Sequence, residues 1–312
     1  LERGLAAREP AILAEPSGGY DFIVLAWPRH DREHDAVVVG FQGRGDSLRS
    51  SAMSATPNDI PARQRRAGPD ADLLSDKTVL IAGAGSVGGH VAVALASSGV
   101  GTIHLHDNDD LKTANLVRHI GAGHLVGYRK TLALAMAIED HAPWTTIERH
   151  DDLPTDPTDL SAQIANVDLV IDCTGVFSVS AALAETCRRD GVPLITGALF
   201  HQGSLARVQR QADGDTPIGA RPADPRYFEL PAEDPSGIDS GFLELGCTAP
   251  INAASPVAVL LASAEIACTA TDLLAGRQER PDERIIVIRA MSAPFDRPGT
   301  LYPSRPDNTD TK

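Results

Sequence analysis

The sequence predicts an α/β protein built on a doubly wound, mostly parallel sheet, with a short β-rich appendage at its N-terminus. Three observations carry this reading. Continuous apolar runs, such as residues 78–82 (TVLIA) and 167–173 (VDLVIDC), read as strands buried on both faces. They alternate with helical stretches in the rhythm of parallel βαβ units. A glycine cluster stands directly between the first of these strands and its helix.

Taken in order, residues 22–27 (FIVLAW) and 36–41 (AVVVGF) flank a polar PRHDREHD turn and predict a hairpin. Residues 42–72 turn polar and end in the basic PARQRR, which reads as a linker closing in an arm. A lone hairpin buries no core of its own. The segment 1–75 is therefore expected to dock on the main body or to be the end of a larger upstream domain. The chain opens on Leu1 rather than Met, as a fragment or an alternative start would.

The main body, 76–292, runs strand 78–82, the helical VAVALASSG, strand 102–106, helix 128–141, strand 146–149, strand 167–173, the helical SAALAETCRRD and the strand VPLITGA. A Pro- and Asp-rich crossover over 201–246, a helix over 256–275 and a last strand at 284–289 complete it. Residues 293–312 are expected to be a loose tail.

Composition excludes several functions. The 312 residues carry 28 Lys plus Arg against 42 Asp plus Glu, a net charge of -14. Sequence-independent binding to nucleic acid draws on a basic face that releases counterions, so no nucleic-acid partner is expected. Hydrophobic residues at 42% and charged residues at 22% suit one packed core. Apolar runs break well before the roughly 20 residues that span a bilayer, and no basic-then-apolar leader opens the chain, so a cytoplasmic protein without membrane contact is expected. Cys173, Cys187, Cys247 and Cys268 form no C-x-x-C pair, which argues against a zinc site or redox dithiol.

The chemistry concentrates around the glycines. Gly83, Gly85 and Gly88 spell G-A-G-S-V-G, permitting a tight turn and close backbone approach where a helix N-terminus offers free amides to phosphate. Asp107 ends the next strand, about 20 residues on, where a carboxylate accepts hydrogen bonds from ribose hydroxyls. Beyond it lies DNDDLKTANLVRH, and Lys130 closes VGYRK. A dinucleotide needs little besides the helix terminus for its pyrophosphate, whereas a triphosphate calls for cations and a metal. Asn115 and Arg118 share a face of a helical turn, with His119 beside them. Taken singly, Arg118 or Lys130 reads better as a solvated surface charge.

The stretch GAGSVGGHVAVALASSGVGTIHLHDNDDLKTANLVRHIGAGHLVGYRK resembles the adenylation domain of the ThiF/MoeB/HesA proteins and ubiquitin-activating enzymes, and the resemblance extends over residues 77–276. It implies a Rossmann-like fold, ATP and magnesium as cofactors, and activation of a carboxylate, usually the C-terminus of a small ubiquitin-like or sulfur-carrier protein. By the same resemblance Asp107 holds the ribose, Asp109 belongs to the D-x-D element, and Asn115, Arg118 and Lys130 hold the phosphates. His119 stands where many members have Gln, and a homodimer is implied.

Departures from the family pattern matter as much. Gly175 replaces an Asp that serves as magnesium ligand, so Asp172 or Asp109 is expected to supply the carboxylate, unless phosphates and water hold the metal or the chain binds nucleotide without chemistry. The C-x-x-C pairs that hold zinc in many members are missing, so no zinc is expected. Cys247, in ELGCTAP, occupies a place resembling the family's thioester cysteine, and an ordinary buried Cys is the alternative reading. Cys187 and Cys268 read as core. One of Arg63, Arg65 and Arg66 matches an arginine that reaches a partner's ATP, or all three are solvated.

Two enzyme readings follow, one with a thioester and one that adenylates a peptide or small carboxylate without it. A non-catalytic nucleotide-binding module is the reading from another class, supported by Gly175. A nicotinamide oxidoreductase leaves Asn115, Arg118 and Lys130 unexplained, and the charge opposes a tRNA-modifying dehydratase.

Overall fold

The computed structural model describes residues 20–30, 34–42, 49–55, 58–154, 156–221 and 254–302. The chain divides into two compact units, Leu1–Arg63 and Gln64–Lys312. The first contains strands β1 (Tyr20–Pro28), β2 (His34–Gln42) and β3 (Arg49–Ala55), which form an antiparallel sheet in that order. β1 and β2 are the expected hairpin, with Val24 opposite Val38. β3 falls in the stretch expected to be linker. Its sequence, RSSAMSA, lacks apolar alternation because every residue but the last is exposed, so only its backbone pairing with β2 makes it a strand.

A short helix α1 (Ile60–Gln64) stands at the division, and α2 (Ala71–Leu74) follows it. The second unit holds five parallel strands, β4 (Thr78–Ala82), β5 (Thr102–His106), β6 (Thr146–His150), β7 (Leu169–Asp172) and β8 (Leu194–Phe200). Strands β9 (Leu205–Gln211), β10 (Glu283–Val287) and β11 (Gly299–Leu301) continue the sheet antiparallel. The order is β11-β10-β9-β8-β7-β4-β5-β6. Helices α3 (Ser86–Ser97), α4 (Lys130–His141) and α7 (Pro256–Leu274) cover one face; α5 (Pro157–Ile164) and α6 (Phe177–Asp190) cover the other.

Strand alternation sorts the core. Val79 and Ile81 pack with Val91, Leu95, Leu134 and Ile266, whereas Leu80 packs with Leu160, Ile164 and Leu183. The doubly wound, mostly parallel sheet is as expected, and β4 lies between β5 and β7, where the winding reverses.

Four expectations are corrected. β9 lies inside the stretch expected to be crossover, because its sequence, LARVQRQ, buries polar side chains that have partners: Arg210 holds Asp215 at 2.8 Å through both Nε and Nη2, and Arg207 donates to Glu283 at 2.7 Å. Residues 293–302 of the expected tail are anchored, since β11 pairs with β10 and Phe295 is fully buried; the rest of it lies outside the described residues. Cys268 is exposed, although its helix is apolar. Finally, α7 is long and apolar enough to cross a membrane by length and composition alone, with a mean hydropathy of 1.7. It packs instead against α3, where Ser263 Oγ donates to the Val87 carbonyl at 3.2 Å.

Candidate active site

The C-terminal ends of β4 and β7 meet at the winding reversal, the place where doubly wound sheets bind ligands. Gly83 has φ +90, a conformation that glycine adopts without strain, and a Cβ there would lie 3.0 Å from the Cys173 backbone. At Gly88 a Cβ would fall 1.8 Å from the Gly83 carbonyl oxygen, so only hydrogen fits between helix and turn. Gly85 caps α3 without a side-chain hydrogen bond, and a Cβ on it would meet nothing within 4 Å. Among the described residues nothing packs over Gly85 at the N-terminus of α3, and a helix N-terminus with free amides is the arrangement that binds anions.

Asp107 follows β5 and organises the turn. Its Oδ2 accepts from the Ala84 amide and its Oδ1 from the Asp109 amide, both at 2.8 Å. Burial pushes its carboxyl above the usual range, opposed by the charge of Lys130. Lys130, at the start of α4, donates to Asp109 Oδ2 at 2.7 Å, and its amide bonds the Asp109 carbonyl at 2.9 Å. Asp109 is half exposed, at 50% of its side chain.

A 3-10 turn at Thr113–Val117 carries Asn115, whose Oδ1 accepts from the Lys112 amide at 3.0 Å. Arg118 caps this turn and donates through Nη1 to the Ala254 carbonyl at 3.1 Å. His119 is buried and bridges the turn to the glycine loop. Its Nδ1 accepts from the Gly121 amide and its Nε2 lies 2.8 Å from the Ala84 carbonyl, so Nε2 carries the proton of a neutral ring. Burial lowers its pKa, in keeping with that form. Sequence reasoning gave His119 no such bracing role; its adjacency to Arg118 was the available signal.

The structure therefore brings Gly83, Gly85, Gly88, Asp107, Asp109 and Lys130 together through Ala84, and Asn115 and Arg118 are tied in through His119. Asp172 ends β7 at 2% exposure, with Oδ1 accepting from the Thr174 amide and hydroxyl at 2.9 and 2.7 Å and Oδ2 from the Ser180 hydroxyl. Both its oxygens are occupied within the fold, a circumstance that weighs against the expected metal role. Gly175 follows with φ +67. Burial raises the thiol pKa of Cys173 well above its ordinary value and pushes that of Cys187 up to about 12, which suits inert residues. Cys247 lies outside the described residues. Arg63, Arg65 and Arg66 are exposed.

Fold and site together define a doubly wound α/β protein with a glycine turn and a convergent carboxylate and lysine at its winding reversal. The chain belongs to the ThiF family, whose model matches residues 62–298. Among curated relatives, the ATP-dependent ubiquitin transferase-like protein Cap2 of Vibrio cholerae is 28% identical over 206 residues, covering 62% of this chain and 34% of the relative. The molybdopterin-synthase adenylyltransferase of Escherichia coli is 34% identical over 145 residues, or 46% of this chain and 58% of that one. The chain thus spans only part of these relatives. Solved structures of E. coli MccB share the fold: the ATP complex superposes with a TM-score of 0.58 at 17% identity, over 90% of this chain and 95% of the other.

Proposed function

We propose that this chain uses ATP to adenylate a carboxylate, the C-terminus of a small ubiquitin-like or sulfur-carrier protein. The observation that carries the reading is the convergence on Ala84, where Asp107 grips the amide and His119 the carbonyl. This draws the ribose acid, the Asn115 turn and Lys130 toward the open N-terminus of α3. The names of the relatives, an adenylyltransferase and a ubiquitin transferase-like protein, support it.

In this reading the α3 amides, Asn115, Arg118 and Lys130 hold the triphosphate and Asp107 holds the ribose. An oxygen of the incoming carboxylate attacks the α-phosphorus. The bond to the β-phosphate oxygen breaks as the acyl-phosphate bond forms, and pyrophosphate leaves with its charge stabilised by Arg118 and Lys130. Magnesium takes one or two carboxylates and completes its shell with phosphates and water, which the half-exposed Asp109 fits and the fully engaged Asp172 does not. Bound there, the ion would neutralise phosphate charge. The Cys247 thiolate then attacks the acyl carbon, forming a thioester as the acyl–phosphate bond breaks and AMP leaves. A second copy covering the exposed Val257, Leu260 and Leu261 of α7 makes the homodimer, to which an arginine among Arg63, Arg65 and Arg66 contributes, in the cytoplasm.

A second reading, adenylation of a peptide without a thioester, is favoured by the near-complete overlap with MccB, which has been solved with its peptide MccA. ATP–pyrophosphate exchange against carrier proteins ending in Gly-Gly and against free peptides separates the substrates. Exchange that survives Arg118→Ala sinks the phosphate-site assignment, and ATP binding without exchange for any carboxylate favours the non-catalytic module. Cys247→Ala is expected to abolish transfer while sparing exchange if the thioester forms.

A further inference from the structure

The outer edge of the parallel sheet carries a second cluster that the nucleotide chemistry does not use. β5 and β6 run parallel in a register that sets His104 beside Glu148 and His106 beside His150. Ile103, Leu105 and Ile147 point to the face covered by α3 and α4, so by alternation these four residues share the opposite face. His104 Nε2 lies 3.4 Å from Glu148 Oε2, and His150 Nε2 lies 3.9 Å from the same oxygen. One ligand atom from each of His104, Glu148 and His150 falls within 4.8 Å of the others. Donors bound about 2.0–2.2 Å from one ion stand roughly 3.3–3.5 Å apart in a tetrahedron, so a small closure gathers all three.

A separate observation points the same way. His106 is 3% exposed, neither ring nitrogen has a hydrogen-bond partner among the described residues, and its ring stacks on His150 with centroids 4.5 Å apart at 10°. The Asp152 backbone approaches His106 closely enough to favour its protonated form slightly, but without the geometry of a hydrogen bond. A buried imidazole without partners is a cost that folded proteins seldom leave uncompensated.

We propose that His104, Glu148 and His150 bind a divalent transition metal of the zinc type, with the buried ring of His106 stacked on the His150 ligand. Two imidazoles and a carboxylate suit such an ion, and water fills the remaining position. The site differs in ligand type and place from the four-cysteine zinc that the sequence argues against, and it does not depend on the adenylation reading.

Cobalt(II) titration of the purified chain provides the test, followed by displacement with zinc. One equivalent is expected to bind with the visible absorption of tetrahedral cobalt. The variants Glu148→Gln and His150→Ala, at side chains 53% and 35% exposed, are expected to lose more than the roughly 10–100-fold typical of outer-shell changes. Nitrogen-15 imidazole spectra of the unaltered chain give a readout free of folding defects: zinc is expected to shift His104 and His150. No metal retained after buffer exchange, equal affinity in both variants, or imidazole signals unmoved by zinc overturns the proposal.

Discussion

The two halves of the large sheet use charge in opposite ways. In the antiparallel half, Arg210, Arg221 and Glu283 are each less than a tenth exposed and are matched inside the chain, Arg210 to Asp215 and Arg221 to Asp282 and Glu283. At the parallel end, Lys130 meets a half-exposed Asp109, and among the described residues nothing packs over Gly85 at the start of α3. A buried arginine with a bidentate carboxylate has its bonding satisfied by folding, whereas cations beside an open helix terminus are available to a ligand. The partner, more than the charge, distinguishes scaffold from site.

The contrast is tested most severely by Arg210→Ala. Removing one member of a buried pair strands Asp215, and a loss of about 3–5 kcal/mol in unfolding free energy is expected in denaturant titration. Arg118→Ala is expected to do the reverse: pyrophosphate exchange falls by about 100-fold or more, while stability drops by only about 1 kcal/mol for the lost bond to Ala254. If both variants proved equally unstable, the division would fail.

Ser180→Ala probes the boundary, because Asp172 sits at the site end yet is bonded like scaffold. Loss of that hydroxyl is expected to cost about 1–3 kcal/mol, measured by thermal unfolding.

Acid is expected to act differently on the two halves. Asp107 has a raised pKa in the fold, so its contribution to stability is fully present below the unfolded value of about 3.9 and is lost as pH rises through the folded value. Its charge at neutral pH is thus a burden on folding that serves binding. ATP affinity should fall on acidification at a higher pH than an ordinary carboxylate would dictate, as ATP titrations across mildly acidic pH would show. The smallest effect expected is chemical: an alkylating reagent should modify Cys268 before Cys173 or Cys187, as peptide mapping would reveal, without altering exchange.

Legibility in the sequence followed the range of the interactions. β4, the glycine turn and α3 were readable because an apolar run, a φ requirement and a helix start lie within a few residues of one another. Asp107 was legible by its spacing from the glycines, and Asn115 and Lys130 by the resemblance of the stretch around them to a known family. β9 was not, since its Arg207 and Gln209 side chains find their partner in Glu283, more than 70 residues away in the chain. β3 was unreadable for a different reason: an exposed strand carries no burial pattern. The occupancy of Asp172 depends on Ser180, one turn into the next helix, a partner that composition does not single out.

Gly88 has one further consequence. With 1.8 Å between a notional Cβ and the Gly83 oxygen, the first turn of α3 lies directly against the glycine loop, with no room for a side chain between them. The amides that greet a phosphate are therefore in position before any ligand arrives, and the ordering entropy of that loop is settled when the chain folds. An added methyl at this one position would separate the helix from the strand and return the loop to a conformational search that each nucleotide would have to end anew.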